Sequence, residues 1–266
     1  MSFIDEKEAV HKIMEYKTLL NKQSIPLSSR NHTQLTMHIG KLFGVNILWI
    51  VGVAILGILA VSFVITKPNN MTFRQSLLQK LYPVIMWAGK MGLGKTDIQE
   101  KQPAIAPPVS PFTISFANHT GEQVSLASFR GKKIMVVNTA SDCGYTGQYA
   151  ELEQLHQQAG DKLVILAFPA NDFKEQESGT DQEIQNFCQV NYGLSFPVMK
   201  KTSVVQGNQQ APLFKWLSNP QENGWCQQQP VWNFCKYIIN EEGQLTHFFS
   251  QKVSPLHESV LKAIAL

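Results

Sequence analysis

Charge is scarce in this chain. Only 16% of the 266 residues are Asp, Glu, Lys or Arg, against roughly a quarter in an ordinary soluble protein. The 23 basic and 20 acidic residues leave a net charge of +3. No Lys/Arg-rich run exists that would neutralise a phosphate backbone, which excludes nucleic acid as a partner. Cysteine is scarce too. The four (Cys143, Cys188, Cys226 and Cys235) all lie in the second half and none forms a C-x-x-C pair. That spacing argues against a dense disulfide scaffold, a structural zinc site and general disulfide exchange. His156, His247 and His257 also lack metal-ligand spacing, and no cofactor is expected.

What is present is unevenly distributed. Hydrophobic residues make up 44% of the chain, and Leu42 to Thr66 runs twenty-five residues without a charge between Lys41 and Lys67. At about 1.5 Å per helical residue this exceeds the roughly 30 Å hydrocarbon core of a bilayer, so 42–66 is expected to be a single transmembrane helix. Six Lys/Arg residues precede it and six follow it up to Lys101, so charge bias sets no orientation. Residues 1–41 form an N-terminal tail in which Asp5 and Glu8 resemble a capping box ahead of an amphipathic helix. Phe73 to Lys95 mixes apolar residues with spaced bases and reads as an interfacial helix too interrupted by charge to cross. Lys101 to Pro111 carries four prolines in eleven residues and reads as an extended linker, so the 67–111 segment is expected to end where the folded unit, 112–266, begins.

From Phe112 strand and helix patterns alternate. Phe112–Phe116 and Glu122–Leu126 flank an NHTG turn, and Ile134–Val137 and Leu163–Phe168 are continuously apolar. Gln148–Gln158 and Asp181–Val190 are helical in pattern. Lys236–Ile239 and Gln244–Phe249 form a hairpin, and a last helix over Leu256–Ala265 is capped by Ser254 and Pro255. Apolar strands joined through a helix imply a buried parallel pair, and the later hairpin makes the sheet mixed. The succession fits a thioredoxin-like α/β fold, a mixed sheet flanked by helices.

Cys143 lies between an apolar strand and a helix in NTASDCGYTGQYAELEQL. The unpaired N–H groups of a helix's first turn favour a thiolate there, and the thiolate is the nucleophile. Gly144 lets a substrate approach the backbone closely. Asp142 would oppose ionisation if its carboxylate faced the sulfur.

That string, with LAFPANDFKEQESGTDQEIQNFCQVNYGLSFPVMKK and WNFCKYIINEEGQL, resembles the three signature blocks of the glutathione peroxidase family, in order. The resemblance covers 112–266 and implies a peroxidase. It places the family's peroxide-attacking cysteine at Cys143 and the surrounding glutamine, tryptophan and asparagine at Gln176, Trp232 and Asn233. Those three offer neutral N–H donors for the thiolate and for the alkoxide released when the O–O bond breaks. Neither a metal nor a general-base carboxylate is needed. The resemblance further implies that Cys188 resolves the Cys143 sulfenic acid as a disulfide, with local unwinding of its helix, and that thioredoxin recycles the enzyme. Ala170, where relatives often carry cysteine, removes one other partner for Cys143. Asp172, where they often carry glutamine, adds a charge near the site. Cys226 and Cys235 read as ordinary thiols or as a second redox pair.

The expectation is a membrane-anchored thiol peroxidase acting on hydrogen peroxide and on organic and lipid hydroperoxides, with the lipid bilayer as a further partner. The alternatives are a glutathione-dependent peroxidase and a peroxide sensor that relays oxidation to a partner protein.

Overall fold

The structure is a computed structural model that describes residues 71–92 and 97–265. The expected N-terminal tail 1–41 and transmembrane helix 42–66 lie outside the described residues. Among the described residues no helix is long and apolar enough to cross a membrane.

A helix, α1 (Phe73–Met91), comes first, its N-terminus closed by a capping box between Thr72 and Gln75. It ends at Gly92, short of Lys95. The central sheet has the order β1-β7-β6-β4-β5. β4 (Lys133–Thr139) pairs in parallel with β5 (Leu163–Pro169), the last strand of that order, in the register Ile134 to Val164. Both are almost wholly buried, as continuous apolar runs must be when helices cover both faces of a sheet. The helix α2 (Gln148–Ala159) connects them. The hairpin β6 (Lys236–Ile239) and β7 (Leu245–Phe249) adds antiparallel strands on the other side of β4, and β1 (Ile98–Glu100) closes the edge antiparallel to β7.

Side chains alternate along these strands and so build two cores. Met135, Val137, Ile165 and Ile238 pack with α2, with α3 (Asp181–Tyr192) and with α6 (Glu258–Ala263). Ile134, Val136, Leu166 and Tyr237 pack on the opposite face with α4 (Pro212–Leu217), which is followed by the short α5 (Pro220–Asn223). Each fully buried Ile, Leu or Phe contributes about 2 kcal/mol, so both faces are needed. The arrangement is thioredoxin-like, with a small separate hairpin of β2 (Ser115–Ala117) and β3 (Gln123–Ser125).

Three expectations need correction. The folded unit does not begin at Phe112. Ile98–Glu100 already belongs to the sheet, and the proline-rich stretch is a strap held on the body, with Lys101 N–H on the Thr246 carbonyl and the Val109 carbonyl accepting from the Trp216 indole. The first hairpin strand starts at Ser115, because Pro111–Thr113 turns as a 3-10 helix that buries Phe112. The last helix is capped by His257, whose ring accepts from Ser259 N–H; Ser254 instead accepts from Leu256 N–H in the preceding turn.

Candidate active site

β4 ends at Thr139, and the chain winds through successive turns over residues 141–147 before α2 begins at Gln148. Cys143 sits in these turns, fully buried and unpaired. The backbone N–H of Tyr145, the indole of Trp232 and the amide of Asn233 all hydrogen-bond the sulfur and favour the thiolate. Burial outweighs them and raises the thiol above its ordinary range. The first-turn helix field expected from sequence is therefore only part of the balance. The sulfur lies several residues ahead of α2, and one turn N–H carries the backbone's share.

Gln176 enters one step removed. Its side-chain carbonyl accepts from Asn233 Nδ2 at 3.1 Å, and its backbone carbonyl accepts from Asp142 N–H at 3.0 Å. Sequence reading made it a third donor to the sulfur, whereas here it aims Asn233 and fixes the loop before Cys143. Trp232 is flanked by Phe173, with ring centroids 5.7 Å apart, and by the Lys174 ammonium 5.6 Å from its ring.

Neither carboxylate flagged in the sequence dominates the sulfur. Asp142 pairs with Arg74 of α1 at 2.7 Å, which offsets its charge, and its influence on Cys143 ranks last among the causes of that thiol's shift. Asp172 turns away to accept from Ser203 Oγ and Val204 N–H, both at 2.8 Å. The close approach at Gly144 is made by α1: a Cβ there would lie 3.1 Å from Ile85, and one at Gly147 would overlap Tyr82.

Cys188 lies on α3, fully buried in the same core as Cys143, beside Tyr149, Phe187 and Tyr192. Burial pushes its thiol up to about 12, and the nearby Glu177 carboxylate adds to the rise. Cys226 and Cys235 belong to the core on the other sheet face and, like Cys143 and Cys188, are free thiols.

Sequence reading missed the supports. Glu177 accepts from Ser141 N–H at 2.9 Å and from Ser141 Oγ at 2.5 Å, clamping the start of the Cys143 loop. Asn138 on β4 donates to the Trp232 carbonyl and accepts from Cys235 N–H, both at 3.0 Å. Lys236 is fully buried, and its ammonium reaches Gln148 Oε1, the Phe234 carbonyl and the Val253 carbonyl at 2.7 to 2.8 Å. It thus ties the first turn of α2 to Phe234, which holds a left-handed φ of 70° directly after Asn233. A lysine next to a cysteine in WNFCKY gave no signal of this role.

The glutathione peroxidase family model matches residues 112–218. The glutathione peroxidase of Lactococcus lactis subsp. cremoris is 37% identical over 156 residues, covering 58% of this chain and 98% of its own length. The chain belongs to the glutathione peroxidase family. It is therefore a peroxidase, an oxidoreductase built on a thioredoxin-like fold. Another member, the glutathione peroxidase-like peroxiredoxin gpx1 of Schizosaccharomyces pombe, is 41% identical over 147 residues, covering 53% of this chain and 92% of its own. The crystal structure of Trgpx in apo form is 30% identical and covers 60% of this chain and 97% of its own, with a TM-score of 0.47.

Proposed function

We propose that this family member is a membrane-anchored thiol peroxidase that reduces hydrogen peroxide and organic and lipid hydroperoxides through Cys143, with Cys188 as the resolving thiol and thioredoxin as the reductant. The observation that carries the reading is the set of three N–H donors, from Tyr145, Trp232 and Asn233, converging on the Cys143 sulfur. The thiolate attacks one peroxide oxygen, the O–O bond breaks, and the other oxygen leaves as an alkoxide that takes a proton to become an alcohol or water. Cys143 is left as a sulfenic acid. Attack by the Cys188 sulfur then expels water and forms a disulfide, which a reduced thioredoxin opens by exchange. Gln176 acts through Asn233 in this scheme.

Thioredoxin is favoured over glutathione by what surrounds the sulfur. Arg74 is paired with Asp142 and Lys174 lies over Trp232, so these two cations are already engaged rather than set to clamp the carboxylates of a tripeptide. The names of relatives in Schizosaccharomyces pombe and Chlamydomonas reinhardtii describe them as peroxiredoxins, in keeping with a two-thiol cycle. Anchoring rests on the uncharged run 42–66.

The test is a steady-state assay of the full chain with hydrogen peroxide, comparing thioredoxin with glutathione as electron donor. Thioredoxin should support turnover at least about tenfold faster, and Cys143→Ser should abolish it. Glutathione rates equal to or above those with thioredoxin would remove Cys188 from the cycle.

A further inference from the structure

The helix α1 has two working faces. Its inner face lies on the Cys143 loop: Arg74 pairs with Asp142, Leu78 and Ile85 lie over Gly144, and Tyr82 presses on Gly147. Farther along, Met86 is buried against the Gln148 amide, and Gln79 reaches Tyr192 at the end of the helix that carries Cys188. Both thiols of the proposed cycle therefore sit under elements that α1 touches.

Its outer face is largely apolar and exposed. Phe73, Leu77, Leu81, Val84, Trp87 and Met91 follow one another at intervals of three and four residues, and Phe73, Val84, Trp87 and Met91 are 64%, 60%, 63% and 73% exposed. That spacing places all six on one stripe along a helix about 28 Å long. An apolar stripe of this length, broken among these positions by Lys80, marks a contact with something apolar that also accepts a cation.

The chemistry of the helix selects the occupant. Besides Arg74, which is held by Asp142, α1 contains Lys80 and Lys90 and no acidic residue, which suits anionic headgroups. Trp87 on the stripe is the residue type that settles at the boundary between headgroup and acyl chain. The uncharged run ends at Thr66, seven residues before Phe73, so the helix start is tethered within about 25 Å of the end of that run.

We propose that α1 is a bilayer-seated cover over the Cys143 loop: its outer stripe lies in the surface of an anionic membrane, and a phospholipid hydroperoxide reaches the sulfur by displacing its inner face from Gly144 and Gly147. This rests on the reading of the chain as a membrane-anchored peroxidase and names the form in which its substrate arrives. Hydrogen peroxide is small enough to reach the sulfur through local fluctuation, whereas a lipid needs the helix to shift. The chemical step at Cys143 is unchanged.

The experiment uses the full chain reconstituted in vesicles of phosphatidylcholine and phosphatidylglycerol, with phospholipids brominated high on the acyl chain as fluorescence quenchers. Trp87→Phe should remove at least about a third of the quenchable emission, as expected for an indole at the interface. If Trp49→Phe lowers quenching and Trp87→Phe does not, the span stands and the seating of α1 is wrong. If brominated lipid quenches nothing, the membrane reading fails and the seating with it. A Leu81→Glu, Trp87→Glu double variant supplies the activity readout in the same vesicles. Turnover of vesicle-borne phospholipid hydroperoxide should fall about tenfold or more while turnover of hydrogen peroxide stays within about twofold. Equal losses on both substrates would overturn the proposal. So would a change from dimer to monomer in the double variant with no loss on lipid, which would assign the stripe to a second copy of the chain.

Discussion

Cys143 and Cys188 share one hydrophobic core and are equally hidden from water, yet their surroundings differ in kind. Cys143 is in a loop at the end of a strand, with a turn N–H, an indole and a carboxamide directed at its sulfur. Cys188 is in the middle of a helix among tyrosine and phenylalanine rings, with a carboxylate nearby, and its thiol is pushed up to about 12. Burial alone disfavours both thiolates. The difference lies in the donors, which stabilise negative charge at one sulfur and are nearly absent at the other. At Cys143 three donors oppose the cost of burial, and at Cys188 burial and a carboxylate act together.

The sharpest way to break that contrast is to remove the inert partner. Cys188→Ser should lower steady-state turnover with thioredoxin by about a hundredfold or more, because the Cys143 sulfenic acid then has no internal thiol to attack it. The first turnover should survive. A stopped-flow burst of one peroxide consumed per enzyme, at a rate within about threefold of wild type, is the expected result. Loss of the burst as well would mean that Cys188 supports the geometry of Cys143 and that the division of labour between the two thiols is wrong.

A smaller effect tests the donors themselves. Asn233→Ala removes an amide that touches the sulfur and should cut the burst rate about thirty- to a hundredfold, below the loss usual for one anion-stabilising donor because Tyr145 and Trp232 still donate. Gln176→Ala removes the acceptor that aims that amide and should cost about tenfold or less, since Asn233 keeps a donor. The order is the informative part: a larger loss at Gln176 than at Asn233 would make glutamine the direct contact. Asp172→Asn is the control. Its carboxylate holds Ser203 and Val204, so the pH dependence of the burst should not move.

Much of this was readable in the chain, and the exceptions share a cause. β4 and β5 carry continuous apolar runs, α2 a helical composition, and α3 a Thr180–Glu183 capping box with Gly193 after the last turn. Cys143, Trp232 and Asn233 fall in blocks whose order marks the family. The edge strand Ile98–Glu100 is three residues long and polar in part, so only its pairing with β7 defines it. α4 has six residues, too few to show a period. The role of Gln176 depends on which end of a carboxamide meets Asn233. The covering of Gly144 and Gly147 by α1 joins segments some sixty residues apart, a tertiary fact that no local pattern contains. Lys236 and Glu177 were passed over for the same reason, because a charged side chain reads as surface until the fold buries it.

Those two buried charges support the smallest and last prediction, and Glu177 touches both sides of the contrast. It clamps Ser141 ahead of Cys143, and its charge raises the Cys188 thiol. Burial raises Glu177 to about 7, so between pH 4.5 and 7 the folded protein holds a proton that the unfolded chain has released. Stability contributed by that proton is present below pH 4.5 and is lost as pH rises through 7. Burial lowers Lys236 to about 7, so between pH 7 and 10.5 the unfolded chain holds a proton that the folded protein lacks. Its contribution is present above pH 10.5 and is lost as pH falls through 7. The two arms meet, and stability should pass through a trough near pH 7 with sides of about 1–2 kcal/mol, after discounting for relaxation around buried charges. Urea unfolding of residues 67–266, the compact unit that holds α1 and the whole sheet, at pH 5, 7 and 9 measures it. Glu177→Gln should flatten the acid side and Lys236→Met the alkaline side, each leaving the other in place. If both variants keep the full wild-type curve, these groups do not change protonation on folding. The clamp on Ser141 and the tie to Phe234 would then both be charged between pH 4.5 and 10.5.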